Sequence, residues 1–331
     1  MKPPLIAVTM GDPAGVGPEI CLRLLADARV AGFALPVVFG DSSVLTQCAE
    51  RTGLPAPATV LSAQDWAESR DRLDGPAVLD LPGFDATGFE PGRVGAATGA
   101  AAYRYIDAAI GHALAGSVAA VATGPIHKEA LRAAGILHPG HTEIFAERTG
   151  AERACMFQYS EEVRASFVTV HVGYHEVPGL LTRERILDVV ELTAEAMAKL
   201  RGRAPRLAVL GLNPHAGENG LFGNLEEERI ILPAIEAARI AGLSVEGPLP
   251  PDTAFLPEKR RSIDAFVCMY HDQGHIPLKA LAFDTAVNAT LGLPIVRTSV
   301  DHGTACDIAW QGKAKASSLF EAVRLAARLA G

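Results

Sequence analysis

Residues 265–304 read AFVCMYHDQGHIPLKALAFDTAVNATLGLPIVRTSVDHGT. The apolar run at residues 265–269 predicts a buried strand, and His271 and Asp272 come where that strand would end. In open α/β sheets, ligands gather at the carboxyl ends of the strands. The stretch therefore predicts one wall of an active site. Its further polar groups are Lys279, Asn288, Arg297, His302, Gly303 and Thr304.

The rest of the chain alternates between strand and helix patterns. Apolar runs at residues 5–10, 35–40 and 118–123 predict buried strands, and helical patterns lie between them at residues 43–53 and 95–115. This alternation predicts an α/β fold with a mostly parallel sheet that is covered on both faces. Residues 55–92 are rich in Pro, Gly and Asp and predict variable surface with short strands at best.

A different pattern begins near residue 130. Two apolar runs at residues 154–159 and 163–170 are separated by only a few residues, which predicts a hairpin and hence an antiparallel element. Helices are predicted at residues 182–200, 225–241 and 317–330. A chain of 331 residues is longer than the chain that a single hydrophobic core usually supports. We therefore expect two α/β domains, residues 1–130 plus 290–331 and residues 131–289.

The composition narrows the class of protein. The chain is 49% hydrophobic and 21% charged, with 30 Lys and Arg against 38 Asp and Glu, a net charge of −8. This balance argues against nucleic acid or an anionic membrane as the main partner. The five cysteines form no C-x-x-C pair, as is typical of free thiols in a reducing cytosol. No apolar run is long enough for a membrane span or a signal peptide, so a cytoplasmic location is expected.

The first predicted strand runs into a glycine-rich turn, GDPAGVGPE at residues 11–19. A strand, a glycine-rich turn and a helix start can form a cradle for an anion. The turn matches neither of the standard nucleotide-binding motifs, so a tight turn without a ligand is the equal alternative.

Three of the apolar runs are followed by a histidine in the same way, and these are His171, His215 and His271. Neutral imidazoles are common ligands of zinc and similar divalent ions, and three with an open fourth position are typical of a catalytic site. A single loop histidine is more often a hydrogen-bonded surface or core residue. The repeated setting makes a metal site and this simpler interpretation equally acceptable.

Cations in Gly- and Pro-flanked segments predict a positive pocket in this acidic protein. His141, Lys279 and Arg297 are the candidates, and Thr142 adds a hydroxyl donor. Such groups bind carboxylate or phosphate through charge-assisted hydrogen bonds. The alternative for each cation taken singly is a solvated surface charge.

Together these stretches resemble the PdxA family, the 4-hydroxythreonine-4-phosphate dehydrogenases of vitamin B6 synthesis. The similarity runs from residue 5 to about residue 315 and rests on MGDPAGVGPE, TGPIHKEAL, GHTE, GLNPHAGE, PPDT, MYHDQGHIPLK and VNATLGLPIVRTSVDHGTA. It implies an isopropylmalate dehydrogenase-like fold of two α/β/α domains, with the active site in the interdomain cleft at a homodimer interface. It also implies NAD-dependent oxidation of a phosphorylated hydroxy acid, followed by decarboxylation.

The resemblance also implies roles for particular residues. One divalent metal (Zn, Co, Mg or Mn) would be held by His171, His215 and His271, with ligands drawn from both subunits. The substrate contacts would be His141, Thr142, Lys279, Asn288 and Arg297. NAD, or NADP, would lie against His302, Gly303, Thr304 and Asp307 in the domain of residues 1–130 and 290–331. Asp252 and Lys279 are the candidates for the catalytic base.

Other functions stay open from the sequence. A sister branch of the family is thought to act on 4-phospho-D-threonate or D-erythronate 4-phosphate, and the segments NGLFG and GHIPLK resemble it. The 2-amino substrate, 4-phosphohydroxy-L-threonine, is placed first by a small margin. A metal-dependent phosphohydrolase is a remote alternative, as is a non-catalytic module that binds metal or nucleotide.

Overall fold

The computed structural model describes residues 2–86, 88–283 and 285–331. The chain divides into two compact units. Unit 1 comprises Met1–Ala151 and Leu293–Gly331, and unit 2 comprises Glu152–Gly292. Residues 131–151, which the sequence pattern assigned to the second domain, lie in unit 1 because Ile144 and Phe145 are fully buried in its core.

The strands are short, as expected for segments buried between helices. They are β1 (Leu5–Thr9), β2 (Leu35–Gly40), β3 (Val60–Leu61), β4 (Ala77–Asp80), β5 (Ala120–Thr123), β6 (Cys155–Tyr159), β7 (Arg164–Phe167), β8 (Arg206–Leu210), β9 (Ser244–Leu249), β10 (Ala265–Cys268), β11 (Val287–Leu291) and β12 (Val296–Val300).

The helices begin and end at residues whose chemistry suits a cap. Asp41 precedes one helix and accepts the Ser43 N–H at 3.0 Å, and the left-handed Gly53 ends it. The helices are α1 (Gly17–Leu25), α2 (Ser42–Thr52), α3 (Ala63–Ser69), α4 (Ala96–Leu114), α5 (Lys128–Ala133), α6 (His141–Thr149), α7 (Val177–Leu180), α8 (Arg183–Arg201), α9 (Leu232–Ile240), α10 (Pro257–Ser262), α11 (His271–Ala282) and α12 (Ser317–Ala330).

Unit 1 has a parallel sheet in the order β3-β4-β2-β1-β5-β12. Strands β2 and β5 are buried throughout, which agrees with their uninterrupted apolar sequences. Residues 55–92 contribute more to this core than the sequence predicted. The indole of Trp66 on α3 is only 2% exposed, and Val78 and Leu79 on β4 are buried in the sheet.

Unit 2 has a mixed sheet in the order β11-β6-β7-β10-β8-β9. The predicted hairpin is confirmed, since β6 pairs antiparallel with both β7 and β11. The remaining pairs are parallel. The predicted α/β fold class, with mixed and mostly parallel sheets, is therefore confirmed. In the described part of the chain, no helix is both long enough and apolar enough to cross a membrane.

The glycine-rich turn after β1 is a tight packing element. Every residue from 6 to 22 is buried. The Asp12 N–H donates to the Pro125 carbonyl at 2.9 Å, and the Val16 N–H at the start of α1 donates to the Thr304 carbonyl at 2.9 Å. Because neighbouring backbone already covers the turn, the structure favours the tight turn over the anion cradle.

Glycine is required at position 17 because an added Cβ would overlap the Met10 carbonyl. We expect Gly17→Ala to lower the free energy of unfolding by about 2–4 kcal/mol, since the backbone must shift in a close-packed interior. Gly111→Ala on α4 is the control, because a Cβ there meets nothing within 4 Å. It should stabilise the protein by about 0.5–1 kcal/mol. Urea unfolding of both variants measures the difference, and equal effects would contradict the packing argument.

Candidate active site

A pocket of about 400 Å³ opens in unit 2 at the ends of β7 and β10. Two of the predicted ligands, His171 and His271, both line it, and their ring centroids are 5.6 Å apart. Two imidazoles that share a tetrahedral zinc ion have ring centres about 5 Å apart. The other lining residues are Val170, Val172, Gly173, Tyr174, Val177, Tyr270 and Asp272.

Two neighbours hold the ring of His271. This residue is the first of α11, so its position follows directly from the end of β10. Its Nδ1 lies 2.6 Å from Asp272 Oδ1, and its ring stacks on that of His275 with a centroid distance of 3.8 Å. The Tyr174 hydroxyl donates to the other oxygen of Asp272.

Asp272 is kept ionised by these contacts. The hydrogen bonds from the Tyr174 hydroxyl and from His271 hold the pKa of its carboxyl below the usual range. An ionised carboxylate only accepts hydrogen bonds, so His271 donates through Nδ1–H and keeps its Nε2 lone pair available. Metal-binding histidines in proteins are oriented by a carboxylate in this way. The donor set of the pocket therefore fits a divalent cation.

The third predicted ligand is in a different loop. His215 lies in the turn Pro214–Gly217 with a φ of 53°, and it is exposed. Glu227 stabilises the segment that leads into this turn, since its Oε1 accepts the N–H groups of Leu212 and Asn213 at 2.8 and 2.7 Å. Within the described residues of one chain, no three His, Cys, Asp or Glu side chains converge as a metal site. One subunit thus brings two of the three histidines together, and a complete set stays a prediction that involves a partner.

Unit 1 contains a second polar centre at the start of α6. His141 and Thr142 are its first two residues, so the unpaired N–H groups of the helix point outward beside them. The Arg297 side chain is only 2% exposed, donates to Thr123 Oγ1 at 2.9 Å and lies 5.5 Å from the Phe145 ring centre. A helix N-terminus combined with a guanidinium is well suited to an oxyanion.

Burial controls the charge of this centre. Desolvation lowers the pKa of Arg297 to about 9, and nearby Glu143 opposes the shift. The pKa of His141 lies well below its usual value because its ring is desolvated and the Arg297 cation is near. His141 is therefore neutral at pH 7, and its buried Nε2 has no hydrogen-bond partner among the described residues. Such an orphaned atom is typical of a site that binds a polar ligand.

The other predicted substrate and catalytic residues lie in unit 2. Asn288 is on β11 and has a buried Oδ1 without a partner in the described part of the chain. Lys279 is on α11, with its ammonium 5.3 Å from the Phe283 ring centre. Asp252 is exposed in the turn after β9. These positions leave Asp252 and Lys279 as the candidate proton acceptors, with the choice between them still a prediction.

The predicted cofactor residues follow β12 in the segment of residues 301–316, here called the cofactor loop. His302, Gly303 and Asp307 are exposed, and Thr304 is buried. Regular structure in the loop consists of the short turn Cys306–Ile308. The exposed residues of the loop suit the binding of an extended ligand.

Some residues of this region were not found from the sequence. Tyr174 reaches Asp272 across 98 positions of the chain, and no spacing rule predicts such a pair. Glu227 lies in a run of acidic residues that reads as a solvated helix face, although the side chain is 2% exposed. Asp272 was visible in the sequence, because it directly follows a candidate ligand at the end of a strand.

Comparison with known proteins extends these observations. The family model described as pyridoxal phosphate biosynthetic protein PdxA matches residues 33–326. D-threonate 4-phosphate dehydrogenase of Pectobacterium atrosepticum is 44% identical over 98% of this chain and 99% of its own length. 4-Hydroxythreonine-4-phosphate dehydrogenase of Desulfosudis oleivorans is 46% identical over 98% and 95%.

A solved structure agrees with both. The crystal structure of 4-hydroxythreonine-4-phosphate dehydrogenase from Klebsiella pneumoniae superposes with a TM-score of 0.88 at 43% identity, covering 99% of this chain and 100% of that one. The similarity in sequence and in fold spans both units. The chain therefore belongs to the PdxA family, as the segments GLNPHAGE, MYHDQG and RTSVDHGTA predict.

Proposed function

We propose that this protein oxidises a 4-phosphorylated 3-hydroxy acid with NAD or NADP and a divalent cation, and that decarboxylation follows. The observation that carries the proposal is the second polar centre, in unit 1, where buried Arg297 and neutral His141 lie at the start of α6. We call these three features the oxyanion centre. This centre has the chemistry to hold a phosphate. The relatives in the family are named dehydrogenases of 4-phosphates, which agrees with it.

The first substrate candidate is 4-phosphohydroxy-L-threonine, on the pathway to pyridoxal phosphate. The second is 4-phospho-D-threonate or D-erythronate 4-phosphate, and the Pectobacterium relative is named for a D-threonate 4-phosphate substrate. The candidates differ at C2, which carries an amine in the first and a hydroxyl in the second. Identities of 44% and 46% to one enzyme of each kind do not separate them.

The cation would be held by His171 and His271, with His215 supplied across a homodimer interface. When bound, it supplies a Lewis acid for the substrate alcohol and for the carbonyl formed on oxidation. Asp272 fixes the tautomer of His271 through Nδ1, so that Nε2 is the nitrogen left to bind the cation.

The remaining tasks belong to side chains of this subunit. Arg297 and the first turn of α6 bind the phosphate and so orient the substrate for transfer of hydride to the cofactor. Lys279 and Asn288 offer donors to the substrate carboxylate. Asp252 or Lys279 takes the proton from the hydroxyl group as the hydride leaves. The exposed part of the cofactor loop binds the dinucleotide.

A substrate panel tests the proposal. Formation of NADH is followed with each of the three phosphorylated acids, with NAD and with a series of divalent ions. The 2-amino acid and the better of the two 2-hydroxy acids should differ in kcat/KM by at least about 100-fold, because a site built for one C2 substituent leaves the other unpaired. Release of phosphate without NADH would instead indicate a phosphohydrolase, and binding without turnover a non-catalytic module.

The contact between Asp272 and His271 has a measurable consequence. We expect Asp272→Asn to weaken metal binding by about 10–100-fold, the range observed when the carboxylate partner of a ligating histidine is changed. Tyr174→Phe should act in the same direction but less, because it removes one of the bonds to Asp272. Competition with a chromophoric chelator measures the affinity.

Glu162→Gln is the matched control, since Glu162 is an exposed carboxylate of unit 2 that binds Arg260 at 2.8 Å. It should leave the metal affinity unchanged. An Asp272→Asn protein that binds metal as tightly as the parent would remove Asp272 from the site.

A further inference from the structure

The cofactor loop adopts a conformation that the backbone does not favour. Two non-glycine residues, Ala305 and Trp310, have positive φ values of 42° and 58°. Backbone of this kind persists only when surrounding contacts determine it. The loop therefore depends on whatever holds it from outside.

Those contacts come from the turn after β1 and from α1. The Thr304 carbonyl accepts the Val16 N–H at 2.9 Å, and the Trp310 indole N–H donates to the Pro13 carbonyl at 3.1 Å. A Cβ on Gly15 would lie 2.8 Å from the Thr304 carbonyl oxygen, so only glycine allows this approach. The glycine-rich turn thus serves as a platform for the loop.

Glu19 on α1 makes the central attachment. Its side chain is 0% exposed, and each carboxylate oxygen accepts a backbone N–H of the loop. Oε1 accepts from Ala314 at 2.8 Å and Oε2 from Gly312 at 3.2 Å. Arg23, one turn further along α1, donates to Glu19 Oε1 at 3.2 Å and to the Gly312 carbonyl at 2.7 Å. Glu19 thus accepts N–H groups of the loop backbone, while Arg23 donates to one of its carbonyl groups.

We propose that Glu19, supported by Arg23, is a positioning residue that holds the cofactor loop in the conformation that binds the pyridine dinucleotide. The inference rests on the proposed function, since it takes residues 302–307 as the dinucleotide contacts. Glu19 is itself fully buried and acts through the backbone of Gly312 and Ala314. Its loss should lower the fraction of molecules with an ordered loop, and the apparent cofactor affinity falls by that same fraction.

The test is Glu19→Gln, which keeps the volume and removes the charge. The new amide group faces a backbone N–H that it cannot accept. We expect the Kd and KM for NAD to rise about tenfold, because ordered loops fall to about a tenth of the molecules. The kcat and the KM for the phosphorylated acid should stay within about twofold of the parental values, since neither depends on the contacts of Glu19 and Arg23 once NAD is bound. Hydrogen exchange should quicken in the peptide that contains Gly312 and Ala314.

Asp41→Asn is the matched control, since Asp41 is a carboxylate of unit 1 that is 3% exposed and caps α2. It should lower the melting temperature without changing the Kd for NAD. If Glu19→Gln folds poorly, Arg23→Ala tests the same attachment of the loop, because Arg23 is only partly buried. It should raise the KM for NAD several-fold.

The outcomes separate the two proposals. A Glu19→Gln protein with the parental Kd for NAD and parental exchange overturns the positioning role while leaving the proposed function intact. A fall in kcat with an unchanged KM for NAD also overturns the positioning role. A parent protein that neither binds nor reduces NAD or NADP overturns the proposed function, and the positioning role with it.

Discussion

Replacing His271 with alanine is expected to reduce kcat/KM at least about 1000-fold and to leave the protein without bound metal after dialysis. A bound cation contributes several kcal/mol to the stabilisation of charge in the transition state, and about 1.4 kcal/mol corresponds to a factor of ten. His175→Ala is the control, because His175 is an exposed histidine in the loop that follows His171. Metal content and NADH formation are the measurements.

A mixture of two inactive variants tests whether the site is shared between subunits. If His215 and His271 of one site come from different chains, mixing His215→Ala with His271→Ala gives heterodimers with one intact site. Random reassociation should then restore about a quarter of the parental activity. Mixing His171→Ala with His271→Ala should restore none, because both residues line one pocket of one chain. Recovery in the second mixture only would refute this assignment.

Replacing Arg297 with methionine is expected to raise the KM for the phosphorylated substrate about 100-fold while the melting temperature falls little or rises. A hydrogen bond to a charged group contributes about 1.5–3 kcal/mol, which sets the loss of binding. Burial of the guanidinium opposes folding, so an apolar side chain of similar size offsets the lost bond to Thr123. Arg164→Met is the control, since Arg164 is 6% exposed in unit 2.

The lowered pKa of Arg297 predicts a pH dependence of stability and of activity. Its pKa of about 9 is lower than in the unfolded chain, so the cost of burying the charge is present at pH 7 and fades as the pH rises above about 9. Over the same range the free enzyme loses the cation, and kcat/KM should decline with an apparent pKa of about 9. The Arg297→Met protein should lack this alkaline decline. A similar decline in both proteins would assign it to another group.

Much of the architecture was encoded locally. The amphipathic pattern at residues 317–330 predicts α12 (Ser317–Ala330) with the bounds that the structure has, and residues 35–40 predict β2 (Leu35–Gly40) in the same way. The helix has a clear period, and the strand is an uninterrupted apolar run. The short, polar segments were predicted less well. In residues 55–92 the buried strand β4 has only four residues, too few for a period to stand out from the turns around it.

The candidate site was predictable in its residue types and less so in its geometry. His171 and His271 follow β7 and β10, which are neighbours in the sheet. Residues that follow the ends of adjacent strands lie close together, so this part of the site follows from the strand order alone. The oxyanion centre instead depends on pairs such as Arg297 and Thr123, which are 174 positions apart. Glu19 likewise accepts two backbone N–H groups of a loop nearly 300 positions away.

The sequence by itself determined the α/β class, the long helices, the buried strands, the family and the candidate residues, because periodicity and distinctive segments are properties of neighbours along the chain. Only the tertiary structure decided that the glycine-rich turn supports the cofactor loop, that Asp272 and Tyr174 orient His271, and that Arg297 is buried beside α6. The physical reason is that desolvation and hydrogen-bond geometry depend on which distant segments come into contact. Those contacts exist only once the sheet has formed.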